Sequence, residues 1–170
     1  MRPLFIIGFM GAGKSTVGGI VAARLGRPFL DLDREIERET GHTVAELFAA
    51  HGERGFRDAE RAALATAARQ PGVVVACGGG VVTDDGSHQI LRESGTVVYL
   101  QVSADEAVAR VGFDSSGRPL LLGGDLDSAK ALLHSRERLY EAAADIIVDT
   151  VGRSVEQIAD EIVTLVEGAR

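Results

Sequence analysis

The sequence predicts an α/β fold, a parallel sheet of five strands covered by helices on both faces. Three observations carry this. Short apolar runs alternate with longer stretches of helical periodicity along the whole chain. Those runs are almost free of polar residues, as strands buried on both faces are. The 170 residues show no internal repeat or low-complexity tract, a length that favours one domain.

Taken in order, residues 4–8 (LFIIG) read as the first strand, and residues 14–25 as a helix with Val17, Ile20, Val21 and Leu25 on one face. Residues 29–32 form the second strand, and two helical segments follow at about 33–40 and 44–69. A β-branched run at 73–76 is the third strand, ending in Gly78, Gly79 and Gly80. Residues 96–102 are the fourth, after which Ser103 and Glu106 make a capping box that opens a helix. A helical stripe covers 129–144, and 146–148 is the last strand. Ser154 with Gln157 opens the closing helix, whose apolar face is Val155, Ile158, Ile162 and Leu165. Residues 112–125 break the pattern: four of these fourteen are glycine and one is Pro119. A long loop inside a compact domain is usually functional or mobile.

Composition narrows the function. With 45% apolar residues, a chain this size buries roughly 69% of its surface on folding, enough for a real core. The single cysteine, Cys77, excludes an intramolecular disulfide framework and fits a reducing compartment. A net charge of −7 argues against nucleic acid or an anionic membrane as partner, though not against a small anion met by a few convergent cations. The first apolar run faintly imitates a signal peptide but ends in a glycine-rich turn carrying Lys14. No stretch approaches the roughly 18 to 20 apolar residues that span a bilayer. The expectation is a soluble, cytoplasmic monomer.

Gly8-Phe9-Met10-Gly11-Ala12-Gly13-Lys14-Ser15 fits G-x-x-x-x-G-K-[ST] between a strand and a helix, the context that motif requires. Glycines let backbone N–H groups converge on phosphate oxygens, and the helix start adds its unpaired N–H groups and positive dipole end. Lys14 reaches the β- and γ-phosphates, Ser15 faces Mg²⁺, and Thr16 adds a hydroxyl near the α-phosphate. The motif says that a nucleoside triphosphate binds with Mg²⁺, not what its energy is used for.

Asp31 and Asp33 flank Leu32 at the end of the second strand. Residues two apart in a strand share a face, so one carboxylate could serve the metal and the other an acceptor hydroxyl. A turn with Asp33 as helix N-cap accounts for them equally well. Arg136 interrupts the otherwise apolar stripe Leu132, Leu133, Leu139, Tyr140, Ala143. A buried guanidinium there suits a carboxylate ligand, and a structural salt bridge is the alternative. Arg57 and Glu60 can pair on one helix, which alone reads as a solvated pair. The three glycines at 78–80 would let backbone approach a ligand closely. Arg118 in the 112–125 loop could swing over the phosphates as a lid closes.

Together these motifs resemble the shikimate kinase family over nearly the whole chain. The resemblance rests on GFMGAGKS, DLD at 31–33, FR at 56–57 with Glu60, GGG at 78–80, RPLL at 118–121, R-x-x-x-Y from Arg136 to Tyr140, and T-x-x-R from Thr150 to Arg153. It implies a three-layer P-loop NTPase fold with strand order 2-3-1-4-5 and one kinase domain over 1–170. Within it, the phosphate loop is 8–16, the acceptor-binding segment about 33–61 and the mobile lid about 112–125. It implies Mg²⁺-dependent transfer of the γ-phosphoryl group of ATP to the shikimate 3-hydroxyl, a step toward chorismate and the aromatic amino acids.

By position, the resemblance puts ATP against Gly11, Ala12, Gly13, Lys14, Ser15 and Thr16, with Arg118 on the phosphates and Arg110 and Arg153 flanking adenine. Mg²⁺ falls to Ser15 and, through water, Asp31. Shikimate falls to Asp33, Gly78, Gly79, Gly80, Arg57 and Arg136, with Glu60 orienting Arg57 and Phe48 and Phe56 walling the pocket. Lys14, Asp33 and Arg118 carry the chemistry. Two departures stand out: Arg138 replaces a proline common in the family, and an asparagine and a proline common near Arg153 are absent. A gluconate kinase shares the cradle and lid but need not combine DLD, FR and GGG. A nucleotide-dependent switch without transfer activity would have no chemical need of a complete carboxylate clamp.

Overall fold

The computed structural model describes residues 1–111 and 126–168. Strands β1 (Leu4–Gly8), β2 (Phe29–Asp31), β3 (Val74–Ala76), β4 (Thr96–Gln101) and β5 (Ile146–Asp149) form one parallel sheet in the order β2-β3-β1-β4-β5. Helices α1 (Lys14–Leu25), α2 (Leu32–Thr40), α3 (Val44–Ala67), α4 (Asp85–Ser94), α5 (Ala104–Val111), α6 (Leu126–Ala143) and α7 (Val155–Gly168) connect and cover the strands. β1 is central, pairing Leu4 with Val74 on one side and with Thr96 on the other. Its Phe5, Ile6 and Ile7 are fully buried, which is why the run carries no polar residue. No described helix is long and apolar enough to cross a membrane.

Several local expectations need correction. β2 ends at Asp31, which is itself the N-cap of α2, its side chain accepting from the Arg34 N–H at 3.3 Å. Asp33 is therefore in the first turn of a helix, neither a strand residue nor the cap. A helix turns where a strand alternates, so the shared-face argument for the two aspartates does not hold. The 3₁₀ turn Val81–Thr83 and α4 were not expected; Asp84 starts α4 by accepting from the Ser87 N–H at 2.8 Å. Leu139 and Leu165 are exposed, at 37% and 40%; Val163 and Val166 pack against the core on α7 instead. The Ser103 box is half-made: Ser103 accepts from Glu106 N–H, but the Glu106 carboxylate turns to Arg110. The Ser154–Gln157 box is complete in both directions.

The most consequential difference lies in α3. Gly52 has φ 67° and ψ −177°, so the helix is broken there into two pieces. Residues eight apart in a continuous helix rise about 12 Å. Across this break, Phe48 and Phe56 instead stack at 4.5 Å between ring centroids.

Candidate active site

The fold brings the C-terminal ends of β1, β2 and β3 together, the edge where open α/β sheets bind ligands. A cavity of about 530 Å³ opens there. Its phosphate-loop wall is Met10, Gly11, Gly13, Lys14, Ser15 and Thr16, with Arg110 and Val111 from α5. The opposite wall comes from Asp33, Phe48, Phe56, Arg57, Glu60, the three glycines 78–80 and Arg136. Asp31 lies between them.

On the phosphate side, Gly11 sits at φ 75°, and a Cβ there would lie 2.8 Å from the Ala107 carbonyl oxygen of α5. Only glycine satisfies both the backbone and the packing. The Lys14 ammonium donates to the Phe9 carbonyl at 3.0 Å, which folds it back over its own loop. Ser15 donates its hydroxyl to Asp31, so the hydroxyl and the carboxylate expected near a metal are already adjacent. Ala12 is buried beneath the loop and contributes backbone rather than lining. Arg110 ties the loop down: it donates to Gly11 O at 3.1 Å and Thr150 O at 3.3 Å, and pairs with Glu106.

On the opposite wall, three charged side chains are buried: Arg57 at 7% exposed, Glu60 at 0% and Arg136 at 4%. Arg57 Nη1 donates to Glu60 Oε1 at 2.7 Å, with its guanidinium carbon 5.3 Å from the Phe56 ring and 6.0 Å from the Phe48 ring. The solvated-pair reading of Arg57 and Glu60 is thus wrong, because α3 packs against α2, α4 and the 3₁₀ turn Val81–Thr83, which closes this face off from water. Burial is the main influence on Glu60, pushing its carboxyl up to about 7 against the lowering pull of Arg57. Arg136 bonds the Tyr140 hydroxyl, which donates to the Gly79 carbonyl, while its Nη1 has no partner among the described residues. Burial raises Tyr140 to about 12 despite Arg136. No acid pairs with Arg136 among the described residues.

The glycines at 78 and 80 make room for protein side chains. A Cβ on Gly80 would fall 1.9 Å from Arg57 Nη2, and one on Gly78 would fall 2.6 Å from Glu60 Oε2. Gly79 has no such conflict; its nearest neighbour would be Met10 N at 3.5 Å. Arg153 is not among the lining residues: it donates to Asp149 O at 2.9 Å and pairs with Glu161 at 2.6 Å. Arg118 and the expected lid at 112–125 lie outside the described residues. Sequence reasoning passed over Arg34, Glu37, Val44 and Cys77, which also line the cavity. Arg34 and Glu37 could have been found, since residues 33, 34 and 37 share a face of α2.

A family model for shikimate kinase matches residues 10–167. The chain belongs to the shikimate kinase family. A shikimate kinase from Moorella thermoacetica is 45% identical over 159 residues, covering 94% of this chain and 91% of that one. A solved shikimate kinase from Acinetobacter baumannii, in complex with shikimate, superposes with a TM-score of 0.95 at 34% identity, covering 100% of this chain and 95% of that one. A gluconokinase from Sinorhizobium meliloti shares only the fold, at a TM-score of 0.64 and 20% identity. Family membership makes the protein a transferase of the P-loop kinase class that uses ATP.

Proposed function

We propose that the protein transfers the γ-phosphoryl group of ATP to the 3-hydroxyl of shikimate, giving shikimate 3-phosphate. One observation supports this above all. A single cavity has a phosphate loop on one wall and two buried arginines, Arg57 and Arg136, on the other. A buried arginine is costly unless it meets an anion, and two of them suit one small carboxylate.

In this reading the N–H groups of residues 11–16 and the Lys14 ammonium hold the triphosphate. Arg110 and Arg153 are assigned to the adenine end. Ser15 and Asp31 fit Mg²⁺: a hydroxyl and a carboxylate leave room for phosphate oxygens and waters, which this ion prefers to an all-protein cage. No cluster of three or more candidate ligands occurs among the described residues, consistent with that shared site. When bound, Mg²⁺ neutralises charge on the phosphates. Arg57 and Arg136 take the shikimate carboxylate, Glu60 and the Phe48–Phe56 stack hold Arg57, and the 78–80 backbone meets the ring. Asp33 holds the attacking hydroxyl in line and accepts its proton; in a loose transition state positioning outweighs basicity. The reading treats residues 1–170 as one kinase domain, and its partners are ATP and shikimate, with no nucleic acid or membrane. Acidic charge and a lone buried thiol support a cytoplasmic monomer.

The test is ADP release by the purified chain with ATP, Mg²⁺ and either shikimate or gluconate. Shikimate alone should drive release. Asp33→Asn should lower turnover about 100-fold or more while ATP still binds. Release driven by gluconate would overturn the assignment, and full turnover by the variant would remove Asp33 from the mechanism.

A further inference from the structure

Arg57 and Arg136 face Asp33 and Glu60 across the acceptor wall, and the further pair Arg34 and Glu37 of α2 adds one charge of each sign. With the acids ionised these charges already balance. A ligand carboxylate arriving at Arg57 would leave an extra negative charge in a desolvated site, where unpaired charge is expensive. Glu60 is the group placed to absorb it. Its Oε1 is committed to Arg57, but its Oε2 is buried without a partner. That free oxygen and Asp33 Oδ1 converge on one point beside Gly78, at 2.6 Å and 3.1 Å from where a Cβ would stand. The negative charge of Asp33 therefore disfavours ionisation of Glu60.

We propose that Glu60 is a positioning residue coupled to protons: binding of a carboxylate ligand at Arg57 draws one proton from solvent onto Glu60 Oε2. An O–H bond forms at Oε2, buffer supplies the proton, and no covalent bond to the ligand is made. The proton removes one of two negative charges beside Gly78, makes Oε2 a donor, and releases Arg57 from sharing its charge. The inference rests on Arg57 as a ligand of the shikimate carboxylate.

The surroundings of Glu60 bias it the same way. Asp33 from α2 and Asp84 before α4 both disfavour its ionised form, and Arg57 on its own helix favours it. Cys77 after β3 and Tyr140 of α6 also face it, and burial keeps both neutral, the thiol being pushed well up. Glu53 approaches Arg57 at 3.5 Å from an exposed position and so competes weakly. Burial leaves the Glu60 carboxyl near 7 before any ligand binds, so a modest further push changes its protonation at working pH. Because the bound form holds its proton to higher pH than the free form, affinity for the carboxylate falls as pH rises above about 7.

Calorimetric titration of the whole chain with shikimate at pH 7.5, in phosphate and in Tris, reads the proton directly. The heats should differ between buffers by an amount equal to uptake of about half a proton, and the dissociation constant should weaken several-fold from pH 6.5 to 8.5. Glu60→Gln keeps an amide oxygen for Arg57 and should bind with buffer-independent heat and a flat pH profile. Equal heats in both buffers for the wild type would overturn the proposal on their own, even were the variant unable to fold. Undiminished uptake by Glu60→Gln would overturn it too, by assigning the proton elsewhere. Failure of the wild type to bind shikimate at all would instead sink the acceptor reading beneath it.

Discussion

Gly80 shows how one hydrogen atom in place of a methyl group sets the position of Arg57. The Arg57 guanidinium fills the space a Cβ would occupy, and it is held there by Glu60 and by two aromatic faces. It cannot move aside at low cost. Gly80→Ala should therefore raise the shikimate KM tenfold or more, about 1.4 kcal/mol, while the ATP KM stays within twofold. Gly19→Ala in α1 is the matched control, since nothing lies within 4 Å of its new methyl group. Equal behaviour of the two variants would separate Gly80 from the placement of Arg57. The need for glycine at 78 and 80 was visible in the sequence, but its reason was not. The triplet suggests ligand approach, whereas two of the three glycines first accommodate Glu60 and Arg57, side chains some twenty residues earlier.

Among the elements, α3 departs furthest from a plain periodic reading, and with the largest consequence. No apolar residue falls between Ala50 and Phe56, and glycines stand at 52 and 55, so the break has a mark that a reading of 44–69 as one helix passes over. The cap was more legible: Thr43 and Glu46 exchange both capping bonds, at 3.2 Å and 2.7 Å. The break rotates the first piece so that Phe48 meets Phe56 under Arg57. Gly52 has a left-handed φ and open space around it, so a methyl group there would strain the backbone without clashing. Gly52→Ala should cost about 1 to 2 kcal/mol, read as a lower urea midpoint with unchanged slope. It should also loosen the aromatic stack and weaken shikimate binding. An unchanged midpoint would mean that the helix can run straight through residue 52.

For the molecule as a whole, the site works against stability. Arg136 is buried on α6 with one nitrogen unpartnered, and Glu60 is buried with one oxygen unpartnered. Such groups cost folding energy that a ligand recovers on binding. Arg136→Met fills similar volume without the charge. It should leave the melting temperature equal or higher while shikimate binding is lost, as measured by thermal unfolding with and without shikimate. A large fall in melting temperature would mark Arg136 as structural after all. Glu60 adds a pH signature: its native carboxyl is raised, so the folded state binds more protons between about 4.5 and 7, and stability falls as pH rises through that window.

By itself the sequence determined the five-strand alternation, the phosphate-loop motif with Lys14 and Ser15, and the place of Arg136 in an apolar stripe. Each is written locally, in apolar period, glycine spacing or a charge set in an apolar stripe. The tertiary structure alone decided that Arg57 and Glu60 are buried, that Asp31 caps a helix while Asp33 reaches the cavity from its first turn, and that Arg110 ties α5 to residues 11 and 150. These depend on which faces meet across separations of up to 99 residues. Burial of a charge belongs to the packed assembly and not to the segment that carries it. A local pattern shows where an arginine lies on its own helix, but not what closes over it.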